Sequence, residues 1–431
     1  MFVMAGIVEV YGWIYKRRIF GKKIFIDLRC ISDKKWLGKI LQVVVDISKV
    51  GKEKFKLFKQ LSQESYIRVR GSLVSNPRAP GGIELHAIDI IDFSTSESPY
   101  PLAKKEHSPD FLLDMRHLVV RSPRYQRIWL IREALVDYLR EWFKKNGWIE
   151  VYPPILSFTA CEGGATLFAL NYFEQEGYLS QSAQLYLEVL IYSLGKVFSL
   201  TPSFRAEKSR TRRHLAEFWH FEAEAALYKF DDILTAQEES LVYAIKKILE
   251  NDVFYEWIRD FRGSIDILEN LKTPLPRITY TEAIEILQNK GVDISWGDDM
   301  GADEERILSQ QFDTLFFVTM YPTEIKAFYV KTHEKDERIC YSADLMAPEG
   351  FGEITTGGQR EERIDVLVER IKKEGFDPSD YYWYLDLRKY GSVPHSGYGL
   401  GIERTVMWLL NLEHVRDAIP FPRLSRRKSL V

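Results

Sequence analysis

Short apolar-rich runs recur through the first 95 residues, and Lys23–Arg29 alternates apolar and polar positions with period two. That is the spacing of half-buried strands, whose successive side chains point to opposite faces. Ile7–Trp13 starts the first strand, and Lys16, Arg17 and Arg18 lead from it into a turn at Gly21. Lys23–Arg29, Ile40–Val45, Ser65–Gly71 and Ile83–Ile88 complete five strands, with a helix over Lys54–Leu61 between the third and fourth. Five short strands with one helix in that place follow the order of an OB-fold barrel. Residues 96–120 carry scattered Pro and charge and read as a linker.

The period then lengthens. Ile128, Ile131, Leu135, Tyr138 and Trp142 share one face of a helix over Pro123–Lys145, with Gly147 as its cap and a strand over Trp148–Tyr152. Tyr178–Glu188 passes from strand to helix, with Ser182 placed to cap it. One long amphipathic helix is expected over 230–260, and smaller helices around an insertion over 276–312. Leu315–Thr319, Ala327–Lys331 and Ile339–Leu345 read as strands.

Two stretches carry unusual chemistry. Val197–Glu224 reads as an antiparallel pair joined by a basic loop with Lys208, Arg210, Arg212 and Arg213. Arg205 and Glu207 stand two apart, hence on one strand face, where unpaired charge is costly unless it meets a polar ligand or its own partner. A solvated hairpin with a basic tip fits the same residues. Val393–Arg404 reads as strand, glycine-rich turn, then a helix over Thr405–Leu412. Such a turn lets a ligand approach the backbone, and a helix N-terminus favours anions. The stretch is neither a Walker loop nor a Rossmann fingerprint. Asp344 and Glu353 flank glycine-rich sequence, where hard oxygen ligands suit Mg²⁺ held together with phosphates; two surface carboxylates are the plain alternative. Phe25 with Arg18, Lys22 and Lys23 could stack a base and meet phosphate, or be core and solubility charge.

Composition narrows the class. The chain has 431 residues, 45% hydrophobic and 28% charged, with net charge −3 and a pI near 6.3, so any nucleic-acid contact must use local patches. Cys30, Cys161 and Cys340 lack metal or disulfide spacing, which points to a reducing compartment, the cytoplasm. No long uncharged apolar run supports a membrane span or a signal peptide.

Taken in order, FRAE with RRHLAEF and then GLGIER resemble the second and third motifs of class II aminoacyl-tRNA synthetases of the aspartyl/asparaginyl group. The helix and strand over 123–153 resemble the first, the dimer motif, and GWIYKRR with FIDLR resembles the group's anticodon-binding barrel. SAQLYLE, HLAEFWHFEAE, YLDLRKYGSVPHSG and AIPFPR are similar to asparaginyl members.

The resemblance implies a multi-domain α+β chain: an OB-fold barrel over 1–95, a hinge over 96–120, and over 121–431 an antiparallel-sheet catalytic domain with flanking helices. It implies ATP and asparagine as substrates, Mg²⁺ as cofactor, tRNA(Asn) as partner, and a homodimer. By the same resemblance Arg205 holds the α-phosphate and the reacting carboxylate, and Phe218 and Arg404 sandwich the adenine. Arg213 and His214 meet the triphosphate, with Glu207, Leu215, Gly401, Ile402 and Glu403 around the nucleotide. Glu353 binds Mg²⁺ with Asp344 and Thr356, and Arg205, Glu353 and Arg404 form the catalytic set. Glu162 and Gln184 take the α-ammonium under a lid over 159–168, Ser182 joins them, and Arg360 reaches the side chain. Arg18, Phe25 and Gln42 contact the anticodon, with Arg17 able to replace Arg18.

Aspartyl members carry lysine at the Leu187 position; here the charge is absent and Glu188 follows. A neutral amide suits one cation and a nearby carboxylate acceptor, whereas a carboxylate substrate loses a partner. Asparagine is therefore the expected substrate. The alternatives are an aspartyl or non-discriminating ligase, an ammonia-using asparagine synthetase, whose relatives lack the barrel, and a non-catalytic RNA-binding paralogue, which should have lost Arg205, Glu353 or Arg404.

Overall fold

The computed structural model describes residues 3–102, 106–161, 166–208, 211–425 and 427. They form two compact units, divided between Leu130 and Ile131.

In the first unit, β1 (Val3–Phe20), β2 (Lys23–Cys30), β3 (Leu41–Asp46), β4 (Tyr66–Ser75) and β5 (Ile83–Ser94) close into a barrel in the order β1-β2-β3-β5-β4. Ile24, Ile26, Leu28, Val43, Val45, Ile67 and Val69 fill it, which is the expected alternation made solid. A helix over Lys52–Gln60 lies between β3 and β4. The turn at Gly21 is where it was expected, but β1 runs on through Lys16–Arg18 to Phe20, past a bulge between Ile14 and Lys16. The stretch 96–120 is not featureless, since Ser108 caps a short helix over Pro109–Asp114 by accepting from Phe111 N at 3.3 Å.

The second unit is built on eight strands. They are β6 (Ile149–Glu150), β10 (Lys196–Phe204), β11 (Glu217–Ala226), β12 (Arg277–Thr279), β13 (Phe316–Thr319), β14 (Ser342–Ala347), β15 (Gly352–Gln359) and β16 (His395–Gly401). Their order is β12-β13-β14-β15-β16-β11-β10-β6. A small sheet of β7 (Leu156–Ser157), β9 (Gln175–Leu179) and β8 (Phe168–Tyr172) adjoins in sequence. Phe143 of the Pro123–Lys145 helix packs on Phe198 of β10 and Phe221 of β11, with ring centroids 5.0 Å from each.

Three local expectations are corrected. The helix over 230–260 is two helices, Phe230–Leu249 and Asp252–Arg262, because Asn251 accepts from Val253 N and Phe254 N and starts a new one. Ala327–Lys331 is not a strand: Val330 N turns back to Ala327 O at 3.1 Å, and only an isolated bridge to Arg360 remains. Gly397, Gly399 and Gly401 form no turn but lie within β16, antiparallel to β11. A Cβ at Gly397 would fall on the Glu224 carboxylate, and one at Gly399 on the His220 ring. The alternating glycines therefore give β11's polar side chains their room.

Candidate active site

The hairpin β10–β11, with β15 and β16 beside it, forms the floor of a cavity of about 640 Å³. Most residues singled out from the sequence meet there. Arg205, Glu207, Arg213, His214, Leu215, Phe218, Gly401, Glu403, Arg404, Asp344, Glu353, Thr356, Ser182, Gln184 and Arg360 all line it. Arg205 and Glu207 lie just beyond the end of β10 rather than on it, since Phe204 is its last residue. Arg205 stays in line because its N–H donates to Ala216 O at 3.0 Å across the hairpin. Its guanidinium stands 5.4 Å from the Phe218 ring centroid.

One end of the cavity is rich in opposed charges. Arg404, in the first turn of the helix Ile402–Leu409, pairs with Glu353 at 2.9 Å. Burial works against the Glu353 carboxylate, but Arg404, then Arg213 and Lys326, outweigh it and bring it down to about 2. Arg213 pairs with Glu305 at 2.7 Å and donates to Glu353 O at 3.2 Å. Burial, followed by Arg404 and Arg213, holds the His214 imidazole down to about 4, so it is neutral at physiological pH. Lys326 binds Asp344 Oδ2 at 2.9 Å and sits 3.8 Å from the Tyr321 ring centroid.

The acids here fit a divalent cation shared with phosphates. Asp344 and Thr356 are direct partners across β14 and β15. Asp344 Oδ1 is buried without a hydrogen-bond partner. No group of three His, Cys, Asp or Glu is arranged to cage a metal among the described residues. Mg²⁺ keeps water and phosphate oxygens around one or two carboxylates, the kind of donor Asp344 and Glu353 offer.

The other end is closed by a buried ion pair. Arg360 Nε donates to both Glu224 oxygens, at 3.0 and 3.3 Å, and both side chains are at most 4% exposed. Gln184 heads the helix Gln184–Leu194, and Ser182 Oγ accepts from its N–H at 3.1 Å, so Ser182 serves the helix start as expected, although Ala183 is the capping position. Ser182 also donates to Glu222.

Other residues predicted for this site stand apart from the cavity or lie outside the described residues. Leu187 is fully buried among Ala183, Ile191 and Val197. Glu188 and Ile402 are fully buried and do not line the cavity. Glu162 lies outside the described residues, as does Arg210 of the basic loop. Glu403 lines the cavity, but its carboxylate is engaged by Arg132 at 2.7 Å and Trp219 N at 2.9 Å. The sequence reading missed Glu224, Lys326 and Glu305. Glu305 lies on the helix Ala302–Ser309, within the insertion, and accepts from Glu353 N at 2.7 Å. Only Glu224 had a signal, its place in the repeated acids of β11.

On the barrel, Arg18 and Phe25 are partners across β1 and β2, and Arg18 donates to Gln42 Oε1 at 3.3 Å and to Asp27 at 2.8 Å. Arg17 instead donates to the carbonyls of Phe58, at 3.0 Å, and Lys59, at 2.7 Å. It is occupied at the end of the Lys52–Gln60 helix, which leaves Arg18 beside Phe25.

An antiparallel sheet bearing this charged cavity, in a chain that also carries a five-stranded barrel, defines a class. The chain belongs to the class II tRNA synthetases: the family described as tRNA synthetases class II (D, K and N) matches residues 108–425. The OB-fold nucleic acid binding domain family matches residues 8–92. Within the class the similarity runs to asparagine–tRNA ligases. The chain is 52% identical to that of Pyrococcus abyssi over 97% of this chain and 95% of the relative, and 51% identical to that of Thermococcus kodakarensis with the same coverage. It superposes on the crystal structure of asparaginyl-tRNA synthetase from Pyrococcus horikoshii complexed with asparaginyl-adenylate with a TM-score of 0.93 at 50% identity, covering 98% of this chain and 96% of that one. An aspartyl tRNA synthetase from Entamoeba histolytica gives 0.84 at 26% identity, covering 99% of this chain and 90% of that one.

Proposed function

We propose that this protein activates asparagine with ATP and transfers it to tRNA(Asn). The observation that carries the reading is the composition of one cavity. Its phosphate-matching end holds Arg205, Arg404 and the acids Glu353 and Asp344, and its far end is closed by Arg360 already paired with Glu224. A neutral amide can donate to Glu224 and accept from Arg360. A second carboxylate would find that guanidinium taken.

The chain's own groups account for the first step. Arg205 orients the amino-acid carboxylate against the α-phosphorus and stabilises charge gathering on the equatorial oxygens as pyrophosphate leaves. Phe218 and Arg404 hold the adenine between them. Neutral His214 can donate to phosphate without adding a full charge. Asp344, Glu353 and Thr356 would hold Mg²⁺, which would supply further charge neutralisation on the phosphates. No side-chain nucleophile is required. The ribose 3′-OH of the tRNA then takes the aminoacyl group. Glu162, with Gln184, receives the α-ammonium in this reading.

Arg18, Phe25 and Gln42 read the anticodon, with Phe25 stacking on a base. The acting unit is a homodimer: Ile149, Tyr152, Ile155, Leu156 and Phe158 leave 39–80% of their surfaces exposed close together in sequence, more apolar area than a free surface favours. The three free, buried cysteines suit the cytoplasm. The test is ATP–pyrophosphate exchange with asparagine and aspartate at equal concentration, followed by charging of a transcript with a GUU anticodon. Faster exchange with aspartate would sink the assignment.

A further inference from the structure

Behind the amino-acid end of the cavity lies a second layer of buried charge. Glu188, on the Gln184–Leu194 helix, and Arg388 pair at 2.7 Å with both side chains fully buried. The same Glu188 oxygen accepts from Tyr384 OH at 2.8 Å and faces His395 Nε2 at 3.0 Å. Its other oxygen accepts from Gln184 Nε2 at 3.0 Å. Glu188 and Arg388 do not line the cavity, but Gln184 does, as do Arg360 and Glu224. The layer therefore reaches the pocket by contact through Gln184 and by field through the Arg360–Glu224 pair.

Two guanidiniums are matched by two carboxylates, and a third carboxylate, Glu222, lies 3.4 Å from His220. Arg360 is matched by Glu224 and Arg388 by Glu188, while Glu222 is held by Ser182 Oγ and by Ala183 N at 2.9 Å. Burial and Glu188 both push the Glu224 carboxyl upward while Arg360 opposes them, so the two layers feel each other. Holding a substrate carboxylate in such a place is costly unless a cation is uncommitted. A neutral amide meets no such cost.

We propose that Glu188 is a positioning residue for substrate choice: by binding Arg388 and Gln184 it leaves no buried guanidinium unmatched, and so excludes aspartate from a pocket that accepts asparagine. The inference rests on the asparagine reading above. It places the selectivity of this chain partly in a residue that touches no substrate. The same sequence position that follows Leu187 thus acts from behind the pocket wall rather than as an amide acceptor within it.

The experiment is ATP–pyrophosphate exchange with each amino acid, reading the ratio of kcat/KM for asparagine over aspartate. Glu188→Gln strands Arg388 as a positive charge and should lower that ratio about tenfold, chiefly by improving aspartate, a change worth about 1.4 kcal/mol. Arg388→Gln leaves the Glu188 charge to His395, Tyr384 and Gln184 and should leave the ratio unchanged or raise it. The double variant E188Q/R388Q strands neither and should keep the ratio within roughly threefold of the original. A fall in the ratio for Glu188→Gln without a fall for Arg388→Gln is the signature, because a merely structural role would lower both. The inference is overturned if Glu188→Gln leaves the ratio unmoved, if both single variants lower it, or if the double variant loses it. Should either single variant fail to fold, the remaining one and the double variant decide by the same criteria. An original protein that exchanges aspartate faster than asparagine would refute the function itself. A preserved preference for asparagine with an unmoved ratio in Glu188→Gln would refute only the role of Glu188.

Discussion

Gly397→Ala tests the pocket floor with one methyl group. Gly397 sits in β16 directly opposite Glu224 of β11, and its added Cβ would overlap the Glu224 carboxylate. A carboxylate at the end of a free side chain could swing aside. This one is 1% exposed and donated to twice by Arg360 Nε, so it can yield only by releasing its partner. Breaking a buried pair costs about 3–5 kcal/mol, and forcing atoms into a packed interior about 1–3 kcal/mol. Partial relaxation makes roughly 4 kcal/mol a fair expectation for the whole change. For a unit of this size that corresponds to a fall in Tm of roughly 8 °C. Thermal unfolding followed by circular dichroism reads the stability. The same preparation, assayed by pyrophosphate exchange well below its new Tm, should show a KM for asparagine raised about tenfold or more. Its KM for ATP should move much less, because the other end of the cavity is untouched. A Tm within about 1 °C of the original, with KM for asparagine unchanged, would refute the packing of Glu224 against Gly397.

Arg404→Ala leaves Glu353 without its closest cation and should lower pyrophosphate exchange by about 100-fold, with little loss of fold; exchange within threefold of the original would remove Arg404 from the catalytic set. Phe25→Ala should leave exchange intact and weaken tRNA charging by roughly ten- to a hundredfold, the worth of one stacked base; equal loss in both assays would argue against an anticodon role. Leu187→Lys replaces a fully buried leucine, so any gain in aspartate exchange should come with a Tm lower by several degrees, from about 2–3 kcal/mol of lost burial. Acid sensitivity should come in two steps. His214 and His414 are held down to about 4, below the ordinary imidazole value, so the unfolded chain binds more protons and stability falls as pH drops from about 6.5 to 4. Glu353, held at about 2, adds stability that is lost as pH falls from about 4.5 to 2, and a denaturant midpoint flat between pH 6.5 and 4 would contradict the first step.

The barrel was legible because β2 and β4 largely alternate buried and more exposed positions, and period two dictates which face is buried. The hairpin Val197–Glu224 was legible from two apolar runs joined by a basic loop. Failures of local reading had local causes. At Asn251 a polar side chain cut an amphipathic run by capping a new helix. At Ala327–Lys331 apolar composition imitated a strand whose backbone turns instead.

By itself the sequence determined the order of elements, the barrel, and the residue types of the charged cavity, because alternation, capping and motif spacing are properties of neighbours along the chain. Tertiary structure alone decided which charges are free to meet a substrate. Arg360 and Glu224 are 136 residues apart, and Glu188 and Arg388 are 200 apart. No local pattern joins them, yet their pairing sets the charge seen by the amino acid. The hairpin's own fate shows the division plainly. From sequence Arg205 is expected on the first strand of the hairpin and Glu224 on the second, but the first strand ends at Phe204 and leaves Arg205 just beyond it. Only the packing of β16 against β11, with glycine where any side chain would collide, makes that strand one wall of a ligand cavity.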